Sequence, residues 1–114
     1  MNFGPLPSVD AAAVPADGFI LDVREDDEWA AGHVEGALHL PMSGFVARFG
    51  ELTEAAEDGR RVHVMCRVGG RSAQVTQYLL QHGVDAVNID GGMQAWEYAK
   101  RPMVTDDGSP AYVL

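Results

Sequence analysis

Only one cysteine, Cys66, stands in the 114 residues, so no internal disulfide can form and nothing points to an oxidising compartment. Basic residues are scarce as well, with 8 Lys and Arg against 17 Asp and Glu and a formal net charge of −9. That balance argues against nucleic acid, whose phosphates are met by clustered Lys and Arg. No apolar run approaches the roughly 20 residues that a membrane span needs, so no membrane partner is expected. Met1–Pro5 has neither a basic nor an apolar segment of the secretory kind, and a cytoplasmic protein is the expectation. The four histidines, His33, His39, His63 and His82, lack metal-ligand spacing, and no second cysteine supports zinc, so neither metal nor cofactor is expected. The phosphate-loop pattern GxxxxGK[ST] and the dinucleotide pattern GxGxxG are both absent.

What is present is an ordinary globular composition, 46% hydrophobic and 22% charged. The length suits one domain over 1–114, with a core at about 17–103 and a tail over 104–114. Short apolar runs alternate with helical patterns. Phe19–Val23, Gly36–Pro41, Arg61–Met65 and Ala86–Ile89 read as strands, the first nearly continuous in apolar residues, as a strand buried on both faces is. Asp26–Ala31 reads as a short helix with acids in its first turn. Pro41–Ala56 has helical spacing broken near Gly50, and Ser72–His82 is a helix with Ser72 as N-cap, Val75, Leu79, Ala73 and Leu80 on one face, and Gly83 as terminator. Gly91-Gly92 turns into a helix with Met93, Trp96 and Tyr98. Ser8–Val14 is expected as a helix capped by Ser8, and Phe3 on an edge strand before it. The tail is expected to lay Val104 and Tyr112–Leu114 over the core. The alternation implies an α/β fold, a parallel sheet with helices on both faces.

The sequence is organised around Cys66-Arg67-Val68-Gly69-Gly70-Arg71-Ser72, between a strand and a helix. Loops at the C-terminal ends of parallel strands are where α/β sheets bind ligands. Gly69 and Gly70 let successive amides point inward, and the following helix adds positive charge. Cys66 in such a cradle, with Arg67 and Arg71 beside it, is expected as a thiolate nucleophile of lowered pKa. A buried, inert core cysteine would not need two glycines and two arginines directly after it.

With those residues in place the chain resembles a rhodanese-like domain. The matching pieces are Leu21-Asp22-Val23-Arg24-Glu25, Glu28-Trp29, Gly32-His33-Val34-Glu35-Gly36-Ala37 with Leu40-Pro41, the Cys66–Ser72 loop, and Asp90-Gly91-Gly92-Met93-Gln94-Ala95-Trp96. The resemblance implies a three-layer fold on a five-stranded parallel sheet and a sulfurtransferase in which Cys66 carries sulfur as a persulfide. Arg67, Val68, Gly69, Gly70, Arg71 and Ser72 are then expected to hold a small anionic donor such as thiosulfate, Arg71 through its fork. Cyanide, a thiol or a partner cysteine would accept the sulfur. Asp22, Arg24 and His33 read as structural support, Trp96 as core, and Glu28 and Trp29 as capping and packing. A persulfide carrier or regulatory module is the alternative. A phosphatase on a related scaffold is disfavoured, because its loop is one residue longer between cysteine and arginine.

Overall fold

The computed structural model describes residues 5–114. Five strands, β1 (Ser8–Asp10), β2 (Phe19–Asp22), β3 (Leu38–His39), β4 (Val62–Met65) and β5 (Ala86–Asp90), form one sheet in the order β1-β5-β4-β2-β3. Every pairing is parallel. The helices are α1 (Asp26–Ala31), α2 (Phe49–Ala55), α3 (Gly70–Gln81) and α4 (Gly92–Tyr98), with 3-10 turns at Ala11–Ala13 and Met42–Gly44.

Side chains alternate across a strand, so each strand feeds two cores. Leu21, Val62, Val64 and Ala86 pack with Leu52 of α2 and with Val75 and Leu79 of α3. Ile20, Met65 and Ile89 pack on the other face with Ala11, Met93 and Trp96. Cys66 belongs to the first of these cores, and so continues the Val62–Val64 face beyond the end of β4. The result is the expected α/β architecture in three layers.

Four local expectations are corrected. Ser8 does not cap a helix: it lies on β1, pairs with Asn88, and its hydroxyl donates to Leu6 O. The expected strand at Phe3 lies outside the described residues. The break in 41–56 falls between Gly44 and Phe49, and Gly50 sits inside α2, where its Cβ position is open. Helix α3 begins two residues early, at Gly70, with Gly69 as N-cap, so Ser72 is a buried first-turn residue rather than a cap. Leu80 is exposed, and the buried α3 face is Ser72, Val75, Thr76 and Leu79. At the far end of α3, Gly83 N–H donates to Leu80 O and Val84 N–H to Leu79 O, the pair of bonds that a terminating glycine permits.

The C-terminal end of β2 is built around a buried ion pair. Arg24 is fully buried; its Nη2 donates to Asp22 Oδ2 at 2.8 Å and to Gly32 O at 2.7 Å, and its Nη1 to Glu28 O at 3.2 Å. The middle of α1 and its C-terminal cap are thereby tied to the end of β2. His33 joins the tail: its N–H donates to Val104 O, Val104 N–H donates back, and its Nε2 lies 3.2 Å from Asp106. The Trp29 ring is sandwiched between His33 and His39, at centroid distances of 3.6 and 4.5 Å. The tail continues with Tyr112 N–H donating to Ala31 O and Val113 packed on the second core.

Removing one partner of a buried pair leaves a charge without its counterion, at a cost of about 3–5 kcal/mol. Arg24→Ala is therefore expected to lose about that much stability in urea unfolding, with α1 losing its anchors; a loss below about 1 kcal/mol would contradict the role given to this pair.

Candidate active site

The chain leaves β4 at Met65, runs through Cys66, Arg67 and Val68, and enters α3 at Gly70. Gly69 makes this tight turn possible: its φ is +111°, in the region that side chains disfavour. In that conformation its N–H points back and donates to Cys66 Sγ at 3.1 Å. Arg67 and Val68 form an exposed rim, and Cys66 lies beneath it, 1% exposed.

Helix α4 holds the loop from the other side. Met93 N–H donates to Cys66 O at 2.8 Å and Gln94 N–H to Arg67 O at 3.1 Å. This contact requires Gly92: a Cβ there would overlap Cys66 O and lie 2.7 Å from the Arg67 carbonyl carbon. With the Arg67 carbonyl bonded outward to α4, the Val68 N–H of the same peptide is turned the other way, towards the sulfur.

A second polar group reaches the sulfur from α3. Ser72 Oγ lies 3.2 Å from Cys66 Sγ and donates to Asn88 Oδ1 at 2.5 Å. Asn88 Nδ2 donates in turn to Gly69 O at 3.3 Å, which fixes the amide's orientation. Ser72 has a single hydroxyl hydrogen. Given to Asn88, it leaves Ser72 accepting from the thiol; turned to Sγ, it stabilises the thiolate. Asn88 was not anticipated from sequence. Its signal is a lone polar residue inside the apolar run of β5, one that must find a partner when buried.

Burial is the largest single influence on Cys66 and pushes its pKa up. The Ser72 hydroxyl and the amides of Ser72, Gly69 and Val68 together outweigh it and hold the thiol below its ordinary value. The lowering comes first from the Ser72 hydroxyl and then from the three amides, and Arg71 is near enough for its charge and that of a thiolate to favour each other.

Both arginines have other partners. Arg71 donates through Nη1 to Glu28 Oε1 at 2.6 Å and through Nη2 to Glu28 Oε2 at 2.8 Å. The fork expected to grip a donor is closed on a carboxylate of α1. The pair raises the pKa of Arg71 and lowers that of Glu28, the Arg71–Glu28 hydrogen bonds being the main cause on both sides. Glu28 also accepts the Glu25 N–H at 3.1 Å, closing the capping box of α1. Arg67 is exposed, and its Nε donates to the main-chain oxygen of Leu114 at 3.0 Å. Val68, Gly69, Gly70 and Ser72 thus come together around Cys66, whereas Asp22, Arg24 and His33 sit in the supporting framework beside β2.

The fold and this loop define a class: a parallel α/β domain presenting one amide-cradled cysteine at the end of a central strand. The rhodanese-like domain model matches residues 9–99, and the chain belongs to that family. It is 37% identical to YtwF of Bacillus subtilis over 84 residues, covering 74% of this chain and 78% of that protein. A protein of Allochromatium vinosum named a sulfurtransferase is 37% identical over 93 residues, covering 81% of this chain and 83% of that one. Among solved structures, a rhodanese-related protein of Thermoplasma volcanium superposes with a TM-score of 0.78 at 28% identity, over 88% of this chain and 99% of that one.

The hydrogen bonds around Sγ make a pH prediction. A group whose thiolate is favoured by the fold titrates below its ordinary value. Thiolate absorbance near 240 nm, read against Cys66→Ser, is therefore expected to rise at a pH below that of a free thiol. Ser72→Ala removes a charge-directed hydrogen bond of about 1.5–3 kcal/mol and is expected to raise the midpoint by about 1–2 pH units. An unmoved midpoint would remove Ser72 from the cradle.

Proposed function

We propose that the protein is a sulfurtransferase that carries sulfane sulfur on Cys66. The observation that supports this most is the cup itself: a buried sulfur that accepts the Gly69 N–H at 3.1 Å and lies 3.2 Å from the Ser72 hydroxyl, at the C-terminal end of a central parallel strand. The family membership and the sulfurtransferase name of a relative point the same way.

The chemistry follows from the donors present. Cys66 thiolate attacks the outer sulfur of a donor such as thiosulfate. A new S–S bond forms, the donor's S–S bond breaks, and both electrons of the broken bond leave with sulfite. An acceptor nucleophile (cyanide in an assay, a thiol or a partner cysteine in a cell) then attacks the outer sulfur of the persulfide and returns Cys66 to thiolate. This is two-step covalent catalysis with ping-pong kinetics. In the persulfide the negative charge moves from Sγ to the outer sulfur, so the donors that stabilise it are loop amides aimed into the space above Sγ. A free thiol is the working form, which suits a reducing compartment such as the cytoplasm.

Loop size favours sulfur over phosphate. Four residues separate Cys66 from Arg71, and the sulfur lies under the rim. A single sulfur can approach end-on, whereas a phosphoryl group must bring its three non-bridging oxygens to a cysteine that lies beneath the rim. Misplacement by about 1 Å costs on the order of a hundred-fold in rate.

Incubation with thiosulfate is expected to add one sulfur, about 32 Da, removable by cyanide or dithiothreitol, and Cys66→Ser is expected neither to gain it nor to turn over. On the same preparation, hydrolysis of an aryl phosphate should be negligible. Sulfur loading that survives in Cys66→Ser would end this reading, and Cys66-dependent phosphatase turnover above sulfur transfer would replace it.

A further inference from the structure

We propose that Glu28 sets which sulfur donors the loop accepts: by closing the Arg71 fork, it selects donors of low negative charge over dianions such as thiosulfate. The inference deepens the sulfur-transfer reading and rests on it.

The ionic groups that reach the loop are few. Arg71 is close enough to Cys66 for its charge to be favoured by the thiolate. Its guanidinium meets both oxygens of Glu28 at 2.6 and 2.8 Å, the bidentate geometry that makes such pairs strong. The side chains are 34% and 12% exposed, so the pair is only partly in water. Asp22 is already matched by Arg24, and Glu25 is engaged by Ser43, whose hydroxyl donates to it at 2.6 Å. Arg67 extends along the surface to Leu114. Among the described residues, the cation whose charge the thiolate favours is Arg71, and it is paired with Glu28 and within reach of the Glu25 carboxylate, so it is not a free cation.

Glu28 is also held in place. One oxygen accepts the Glu25 N–H, and its own carbonyl accepts from buried Arg24. A dianion that took the Nη1/Nη2 edge of Arg71 would displace a fixed carboxylate, which would then stand unpaired beside the incoming charge. The net charge of −9 adds a repulsion that is twice as large for a dianion as for a monoanion. A thiosulfonate, RSO2S−, tests the point because it offers the same outer sulfur with one charge. Cys66 thiolate takes that sulfur, the S–S bond to the sulfonyl group breaks, and the sulfinate RSO2− leaves with both electrons. Charge and atoms balance as they do for thiosulfate and sulfite.

Benzenethiosulfonate and thiosulfate are compared as donors, with cyanide as acceptor, in the unmodified protein and in Glu28→Gln. Glutamine keeps an acceptor for the Glu25 N–H and loses the charge. Glu28→Gln is expected to raise kcat/KM for thiosulfate about ten-fold, mostly through KM, and to change that for benzenethiosulfonate less than about three-fold. Glu28→Ala, which gives up the capping bond as well, should move the ratio of the two donors in the same direction. Glu54→Gln removes an equal charge from the exposed face of α2 and should leave the ratio alone. A donor ratio unmoved in both Glu28 variants overturns the proposal, as does an equal shift in Glu54→Gln, which would make net charge the cause. If neither donor loads Cys66 in the unmodified protein, the sulfur-transfer reading itself falls.

Discussion

Arg24 is a long cationic side chain with no exposure to solvent, and the framework of the site depends on how its donors are used. A buried guanidinium is tolerated only when its charge is matched and its N–H groups are bonded. Asp22 supplies the charge, and the carbonyls of Glu28 and Gly32 supply further acceptors. Since those carbonyls lie within and just after α1, satisfying Arg24 fixes the helix against β2. A fixed α1 places the Glu28 carboxylate, and the carboxylate places Arg71 on the first turn of α3. The active loop is therefore positioned from below by an ion pair that never meets the substrate.

The same loop is fixed from its other flank by backbone alone. The first amides of α4 take the carbonyls of Cys66 and Arg67, and Gly92 is what permits so close an approach. The C=O and N–H of one peptide point opposite ways, so bonding the Arg67 carbonyl outward turns the Val68 N–H inward. In a protein of net charge −9 this is an effective way to favour a thiolate, because it adds local positive potential without adding a cation.

How much of this could be read from sequence divides along physical lines. Strands β2, β4 and β5 announce themselves because burial on both faces demands near-continuous apolar residues. Strand β1 does not: Ser8 and Asp10 are exposed, only Val9 is partly buried, and a Ser followed by alanines imitates a capped helix. Ser72 misled for a related reason. A serine at a strand-to-helix turn suits an N-cap, but Gly69 can enter the helix directly from a left-handed conformation, leaving the hydroxyl free for the sulfur. Cys66 and its amide cradle were legible because strand, glycines and helix are consecutive. The Asn88 and Glu28 contacts span 16 and 43 positions, so they depend on which strands and helices become neighbours. Local pattern contains no such information, and the arginines looked free for the same reason.

Dipoles around the sulfur and ion pairs around the dipoles amount to a separation of tasks, and it bears on how the site responds to pH. Glu28 is held below the ordinary carboxylate range and Arg71 above the ordinary guanidinium range, so neither changes charge near neutrality. The thiol beside them is held below its ordinary value chiefly by the Ser72 hydroxyl and by amides, contacts that are themselves uncharged. Added salt screens the long-range repulsion of anions, and the partly buried Arg71–Glu28 pair much less, yet leaves amide hydrogen bonds nearly untouched. Ionic strength should thus act mainly on donor capture and pH mainly on thiolate formation. A loop that relied on free arginines for both would couple the two, since the cations binding the donor would also be the ones setting the nucleophile's pKa.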